Sequence, residues 1–213
     1  DAGLDRAGVE RAYRRIAPLY DLWAALTETR ARARCLELAA VRDGEAVLEV
    51  AVGTGLAFAG LLRANPSGRT EGIDASAAML ARARARAAAT GAGNYRLQRG
   101  DARALPFAAA CFDVLLCNYL FDLLPERDFP AVLGEFRRVL KPGGRLVLAN
   151  MTEGWRWHHG IWDLLYRLHP ALLGGCRGVR LAGYLPAAGF REVQRSALSQ
   201  CGFPSEVIAA RAG

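Results

Sequence analysis

Two acids and two glycines carry the chemistry that the spacing of this chain makes possible. Glu49 stands four residues before Gly53 in the string Glu49-Val50-Ala51-Val52-Gly53-Thr54-Gly55. Glycines at a strand end let a ligand reach the backbone without meeting a Cβ. A helix pattern that opens at Leu56 would turn its free N–H groups toward the same place. Asp74 follows about twenty residues later, where a carboxylate at the end of the neighbouring strand can accept two hydrogen bonds from a ribose diol. The ligand is not expected to be a pyrophosphate. The third glycine of G-x-G-x-x-G is replaced by Phe58, and no G-K-S/T follows as in a phosphate-binding Walker loop.

These residues need a scaffold, and the pattern of the chain supplies one. Ala46–Ala51 is short, apolar and β-branched, as a strand buried on both faces of a parallel sheet would be. Leu56–Arg63 reads as a helix, Thr70–Asp74 as a second strand, and Ala77–Thr90 as a helix capped by Ser76. Tyr95–Gln98 is a third strand and Phe112–Cys117 a fourth; Glu126–Leu140 is an amphipathic helix leading into a fifth strand. Regular alternation of strand and helix predicts a doubly wound α/β sheet. Its fourth strand would lie beside the first at the switch point, so Asn118, Tyr119 and Asp122 would face the ligand.

The flanks are more individual. Residues 1–42 read as helical: Arg6–Ile16 has one apolar face, Pro18 interrupts, and a second helix runs from Thr27, its N-cap, to about Ala40. Beyond Met151, the stretch Glu153–Trp162 is rich in aromatic residues and holds His158 and His159. It reads as a packed insertion or as a cap over a substrate. Leu164–His169 and Val179–Ala188 read as helices, and Phe190–Leu198 and Ser205–Arg211 as a closing pair of strands.

With 213 residues and 52 % hydrophobic content the chain can build one substantial core, so a single domain is expected. No apolar run is long enough to span a bilayer, and no signal peptide is read at the polar, charged N-terminus. Five scattered cysteines with no C-x-x-C suggest a reducing, cytoplasmic setting. The net charge of +7 is almost all arginine, Lys141 being the single lysine. No basic patch is interleaved with aromatic residues, so nucleic acid is not an expected partner. Adjacent histidines are poorly spaced for one metal, and none is expected. Neither a G-x-S-x-G elbow nor a dithiol competes with the glycine-loop reading.

The string E-x-A-x-G-x-G resembles the first motif of class I S-adenosylmethionine (SAM)-dependent methyltransferases, with Ala51 where that family usually has glycine. Three further strings follow at family spacing: Asp74; Gly100-Asp101-Ala102 with Leu105-Pro106-Phe107; and Leu140-Lys141-Pro142-Gly143-Gly144. Tyr13-Arg14-Arg15-Ile16-Ala17-Pro18-Leu19-Tyr20-Asp21 resembles the stretch before the first motif in the ubiquinone/menaquinone C-methyltransferases, the UbiE-like branch. The resemblance covers nearly the whole chain. It implies a Rossmann-like, doubly wound seven-stranded sheet with a final antiparallel strand pair and a helical N-terminal lid. Residues 1–42 would be the lid, 43–151 the cofactor core, and 152–213 the substrate-side insertion and closing strands.

It also implies SAM as cofactor and S-adenosylhomocysteine as product. The cofactor-binding residues would be Tyr20, Glu49, Ala51, Gly53, Thr54, Gly55, Asp74, Ala75, Met79, Asp101, Ala102 and Asn118, with Met79 and Asp101 near adenine. Tyr13, Tyr119, Trp157 and Trp162 would meet the methyl acceptor. Transfer would be direct and in line, and Asp122, His158, His159 or Tyr20 could serve as base. The F-G-x-R-N string that the quinone enzymes usually carry is absent, replaced around Asn118-Tyr119-Leu120. A quinone precursor, a phospholipid amine headgroup and a soluble metabolite therefore all stand as acceptors, with a SAM-binding protein without catalysis as the reading from another class. The basic, partly apolar N-terminal helix is of the kind that rests on an anionic membrane surface.

Overall fold

A computed structural model describes residues 21–152 and 177–213. The tyrosines at 13 and 20, the histidines at 158 and 159, and the tryptophans at 157 and 162 lie outside them, as do the expected helices at 6–16 and 164–169. After helical residues 21–27, the chain runs through α1 (Thr29–Ala39), β1 (Ala46–Val50), α2 (Leu56–Ala64), β2 (Arg69–Asp74), α3 (Ala77–Ala88), β3 (Tyr95–Arg99) and β4 (Phe112–Asn118). Two short 3₁₀ turns, Phe121–Leu123 and Glu126–Asp128, precede α4 (Phe129–Val139). Then come β5 (Leu140–Met151), a 3₁₀ turn at Ala182–Tyr184, β6 (Phe190–Gln200) and β7 (Phe203–Ala212).

The strands form one seven-stranded sheet in the order β3-β2-β1-β4-β5-β7-β6. The five strands from β3 to β5 are parallel to one another, and β7 runs antiparallel between β5 and β6. This is the expected α/β architecture. Strand order reverses between β1 and β4, whose last pair is Val50 with Cys117. That reversal leaves a crevice above the carboxyl ends of the two strands, as in other doubly wound sheets.

Two faces of this sheet are buried because successive side chains point to opposite sides. Leu48, Leu115 and Leu146 pack with the α4 residues Phe129, Val132, Leu133 and Phe136. Val47, Val114, Leu116 and Val147 pack on the other face with Ala31, Cys35 and Ala39 of α1. Burying each large apolar side chain in this way contributes roughly 1.5–3 kcal/mol. Phe58, Leu62, Leu80 and Ala83 join α2 to α3 near the β3 edge.

Three expectations are corrected. Thr27 is not a helix cap: it lies in helical residues 21–27, and its hydroxyl donates to the Trp23 carbonyl one turn back at 2.8 Å. The N-cap of α1 is Glu28, whose side chain makes no capping bond. Residues 179–188 do not form a continuous helix, only the turn Ala182–Tyr184. Pro186 cannot donate to a helix there, and Gly183 disfavours one. The helix expected from Glu126 starts at Phe129, after a 3₁₀ turn whose N-cap is Pro125 in extended conformation. The Lys141–Gly144 string does turn the chain: β4 advances from Phe112 to Val114 while β5 advances from Leu140 to Arg145, and Gly143 takes φ 75°.

Candidate functional site

The glycine loop closes over the end of β1 through a run of left-handed residues, Ala51 at φ 59°, Gly53 at 57° and Gly55 at 83°. A Cβ on Gly55 would stand 3.0 Å from the Ala83 Cα, so this glycine lets the start of α2 pack tightly on α3. Ala51 holds a conformation that L residues reach only at a cost of about 1–2 kcal/mol.

Asp74, at the end of β2, organises the loop. Its Oδ2 accepts from the Gly53 N–H at 2.8 Å and its Oδ1 from the Ser76 N–H at 2.8 Å. Burial raises the Asp74 carboxyl above its ordinary value, and the N–H groups of Ser76, Gly53 and Ala75 oppose that rise. Ser76 caps α3 by accepting from the Met79 N–H at 3.4 Å.

A cleft opens beside this loop, lined by Glu49, Ala51, Val52, Gly53, Thr54, Leu56 and Ala57, with Asn118 and Tyr119 from the end of β4. Glu28 and Arg32 line it from the N-terminal helical layer. Glu49 is 2 % exposed, and its Oε2 has no hydrogen-bond partner. Burial, and then the Asp74 charge, push its carboxyl well above the usual carboxylate range, while Arg32 opposes the rise. The Asn118 Oδ1 is likewise buried without a donor. Two cleft-lining residues that each carry an unpaired acceptor fit a ligand that brings N–H donors, above all an ammonium group, because leaving the acceptors unpaired costs about 1–3 kcal/mol each. Arg32 offers a fork of donors for a carboxylate in the same cleft.

Six of the expected cofactor residues thus meet around the cleft: Glu49, Ala51, Gly53, Thr54, Asn118 and, through its grip on Gly53, Asp74. Gly55 sets the loop's exit. Met79 is 2 % exposed, Ala75 is exposed, and Ala102 packs against the α4 side of the core; none of these three lines the cleft. Asp101 is held by Arg103, which donates from its backbone N at 3.1 Å and from Nη2 at 3.0 Å. Arg103 also reaches Asp128 at 2.9 Å.

Of the residues placed at the acceptor end, Tyr119 lines the cleft and Asp122 does not. Tyr119 takes φ 54°, rare for a bulky side chain, and its hydroxyl shares a 2.8 Å hydrogen bond with the Ser205 hydroxyl. Its ring packs at 6.2 Å from Phe203, which packs edge-on at 5.9 Å from Trp23. Asp122 is fully buried, and its Oδ2 accepts from the Met151 N–H at 2.9 Å. Burial holds its carboxyl well above the ordinary value; the Met151 N–H opposes this, and Glu28 and Glu206 reinforce it. The sequence reading missed Glu28 and Arg32. The one available signal was a glutamate where a helix start prefers Ser, Thr, Asp or Asn; nothing distinguished Arg32 from Arg30 and Arg34 in the repeating Arg-Ala string.

Comparison with known proteins agrees with this geometry. Residues 47–144 match the model of a methyltransferase domain family. The chain is 35 % identical to demethylmenaquinone methyltransferase of Thermus thermophilus over 158 residues, 72 % of this chain and 69 % of that protein. It is 36 % identical to the ubiquinone/menaquinone biosynthesis C-methyltransferase UbiE of Paracoccus denitrificans over 156 residues, 70 % of this chain and 61 % of that one. Among solved structures, the cyclase SpnF aligns with a TM-score of 0.73 at 20 % identity, covering 96 % of this chain and 94 % of that one. A geranyl diphosphate methyltransferase in complex with sinefungin aligns with a TM-score of 0.69 at 14 % identity, covering 87 % of this chain and 78 % of that one. These two likenesses concern the fold, and the sequence relatives carry the family. The chain belongs to the class I SAM-dependent methyltransferases, on their UbiE-like branch, and it is an enzyme whose cofactor is S-adenosyl-L-methionine.

Proposed function

We propose that this methyltransferase methylates a small, ring-bearing, quinone-like acceptor by direct in-line transfer. The observation that carries the cofactor half of this reading is the pair of orphaned acceptors, Glu49 Oε2 and Asn118 Oδ1, in one cleft. They fit the ammonium of the methionine tail, with Arg32 available to its carboxylate and Asp74 to the ribose. Bound there, SAM supplies a methyl group already made electrophilic by its sulfonium. The chain's own residues then have only to hold the acceptor close, aligned and dry.

The acceptor side is built for a flat partner. Tyr119 lines the cleft, and the aromatic series Tyr119–Phe203–Trp23 extends from it. Rings of this kind favour edge-on or offset contact with another ring. The demethylmenaquinone and UbiE relatives support a quinone precursor. In this reading Tyr13, Trp157 and Trp162 also contact the acceptor, and His158 or His159 handles its proton, Asp122 being enclosed away from the cleft.

A second reading, a phospholipid amine headgroup, draws on Leu22 and Leu26. These side chains are 61 % and 51 % exposed and stand four apart on helical residues 21–27. Such a pair favours contact with a lipid surface, although no helix among the described residues is long and apolar enough to cross a membrane. The test is the release of S-adenosylhomocysteine across a panel of demethylated quinols, phosphatidylethanolamine vesicles and soluble amines. Turnover with quinols alone supports the first reading. Turnover restricted to vesicles replaces it with the second, and binding without turnover on any acceptor removes both.

A further inference from the structure

A second charged cluster sits behind the glycine loop, outside the cleft. Thr54, at the centre of the loop, is 1 % exposed. Its hydroxyl donates to Asp21 Oδ1 at 2.6 Å. Arg86 of α3 donates from Nη2 to Asp21 Oδ2 at 2.6 Å. The same guanidinium donates from Nη1 to the Thr54 hydroxyl at 3.0 Å and to the Thr54 carbonyl. One planar fork therefore ties three parts of the chain: helical residues 21–27, the glycine loop and α3. Neither Asp21 nor Arg86 lines the cleft.

We propose that Asp21 and Arg86 are positioning residues for the cofactor, a latch that fixes Thr54 and holds the N-terminal helical layer down on the loop. The inference rests on the SAM reading of the cleft. The Thr54 carbonyl is turned to Arg86, so a ligand carboxylate does not meet that oxygen. Residues 21–27 lead directly into Glu28 and Arg32, which line the cleft from above the loop. Pinning residue 21 therefore restricts where those two side chains stand. Burial alone would raise the Asp21 carboxyl, but the bonds from Arg86 and Thr54 and the charges of Arg86 and Arg82 hold it below its ordinary value. The two side chains remain 35 % and 29 % exposed, so salt reaches the pair and weakens it.

The test is calorimetric titration of S-adenosylhomocysteine into the parent, Asp21→Asn, Arg86→Met and the double variant, at about 0.05 M and about 0.5 M salt. Each single change should weaken binding by about tenfold, and the double change should cost no more than either alone, because both break one unit. Salt should weaken binding more in the parent than in the variants, which keep only the charge contacts of the cleft itself. With cofactor saturating, turnover and the acceptor KM should stay within about twofold of the parent, which separates positioning from a general loss of structure. Arg86→Lys keeps the charge but not the fork, and should fall between parent and Arg86→Met. It serves as the variant of record if Arg86→Met does not fold. Equal affinities, additive losses or the same salt response in all proteins overturn the latch. A parent that binds no S-adenosylhomocysteine overturns the cofactor reading, and the latch with it.

Discussion

The two sides of the cleft solve the same problem differently. On the glycine-loop side, Asp74 is partnered by the backbone N–H groups of Gly53 and Ser76, and Thr54 by the side chains of Arg86 and Asp21, none of them more than 33 positions away. On the β4–β5 side, side chains reach partners far along the chain. Tyr119 pairs with Ser205, 86 positions away, and Asn150 donates to the buried Glu206, 56 positions away. In the proposed reading the first side meets the cofactor, which the whole family shares, and the second meets the acceptor, which differs between relatives; the pieces of the second side come from separate elements that can change one at a time. Buried acids mark both sides. Those on the acceptor side, Asp122 and Glu206, are fully enclosed, whereas Glu49 opens on the cleft.

The largest effect expected from this contrast is at Glu49. Glu49→Gln should lower S-adenosylhomocysteine affinity by roughly a hundredfold, because a buried ion pair loses one partner. The ligand-free protein should move the other way. The folded-state carboxyl is raised by burial and by Asp74, so Glu49 contributes stability that is fully present below the ordinary carboxylate pKa and is lost as pH rises through its raised value. Glu49→Gln should therefore match the parent in thermal unfolding at acid pH and exceed it at neutral pH. Ligand binding near neutral pH should also release protons from the parent and not from the variant, as read by calorimetry in buffers of different ionisation enthalpy. A variant no more stable than the parent at neutral pH would mean that Glu49 is already compensated.

A smaller effect is expected across the cleft. Tyr119→Phe leaves the Ser205 hydroxyl without its partner and should cost about 1 kcal/mol of stability. If Tyr119 serves the acceptor, turnover should fall further than cofactor affinity, and equal losses in steady-state kinetics and in titration would move Tyr119 to the cofactor side. The smallest effect is at the loop itself. Ala51→Gly relieves a left-handed alanine and should raise stability by about 0.5–1 kcal/mol, part of the gain being offset by the freer unfolded chain. Cofactor affinity should not change. A loss of stability would show that the Ala51 methyl, which packs against the core, outweighs the strain.

The same contrast explains what could be read in the sequence. Strand alternation and the glycines at 53 and 55 are local signals, so the doubly wound sheet, the fourth strand beside the first, and the loop were legible. Asp74 was legible as an acid at a strand end, although the ligand-free structure shows it gripping the loop's own backbone. The environments of Asp101 and Asp122 were not: whether an acid meets a ligand, an arginine or an enclosed N–H depends on tertiary neighbours. Glu28 and Arg32 reach the cleft only because α1 packs across β4 and β5, and no spacing in the chain encodes that crossing. The helix expected at 179–188 failed where apolar content outweighed Gly183 and Pro186 in the reading.

The place of β7 has a consequence for how the molecule is made. It is the last strand in the sequence, yet it lies between β5 and β6 and hydrogen-bonds to both. While a ribosome is still synthesising β7, β5 has no neighbour on that side, and a nascent chain exposes a largely apolar edge over Arg145–Met151. Such edges invite pairing with other chains. Ser205 and Glu206 lie on the same strand, so their pairs with Tyr119 and Asn150 form only after β7 has been synthesised, long after the glycine loop has left the exit tunnel.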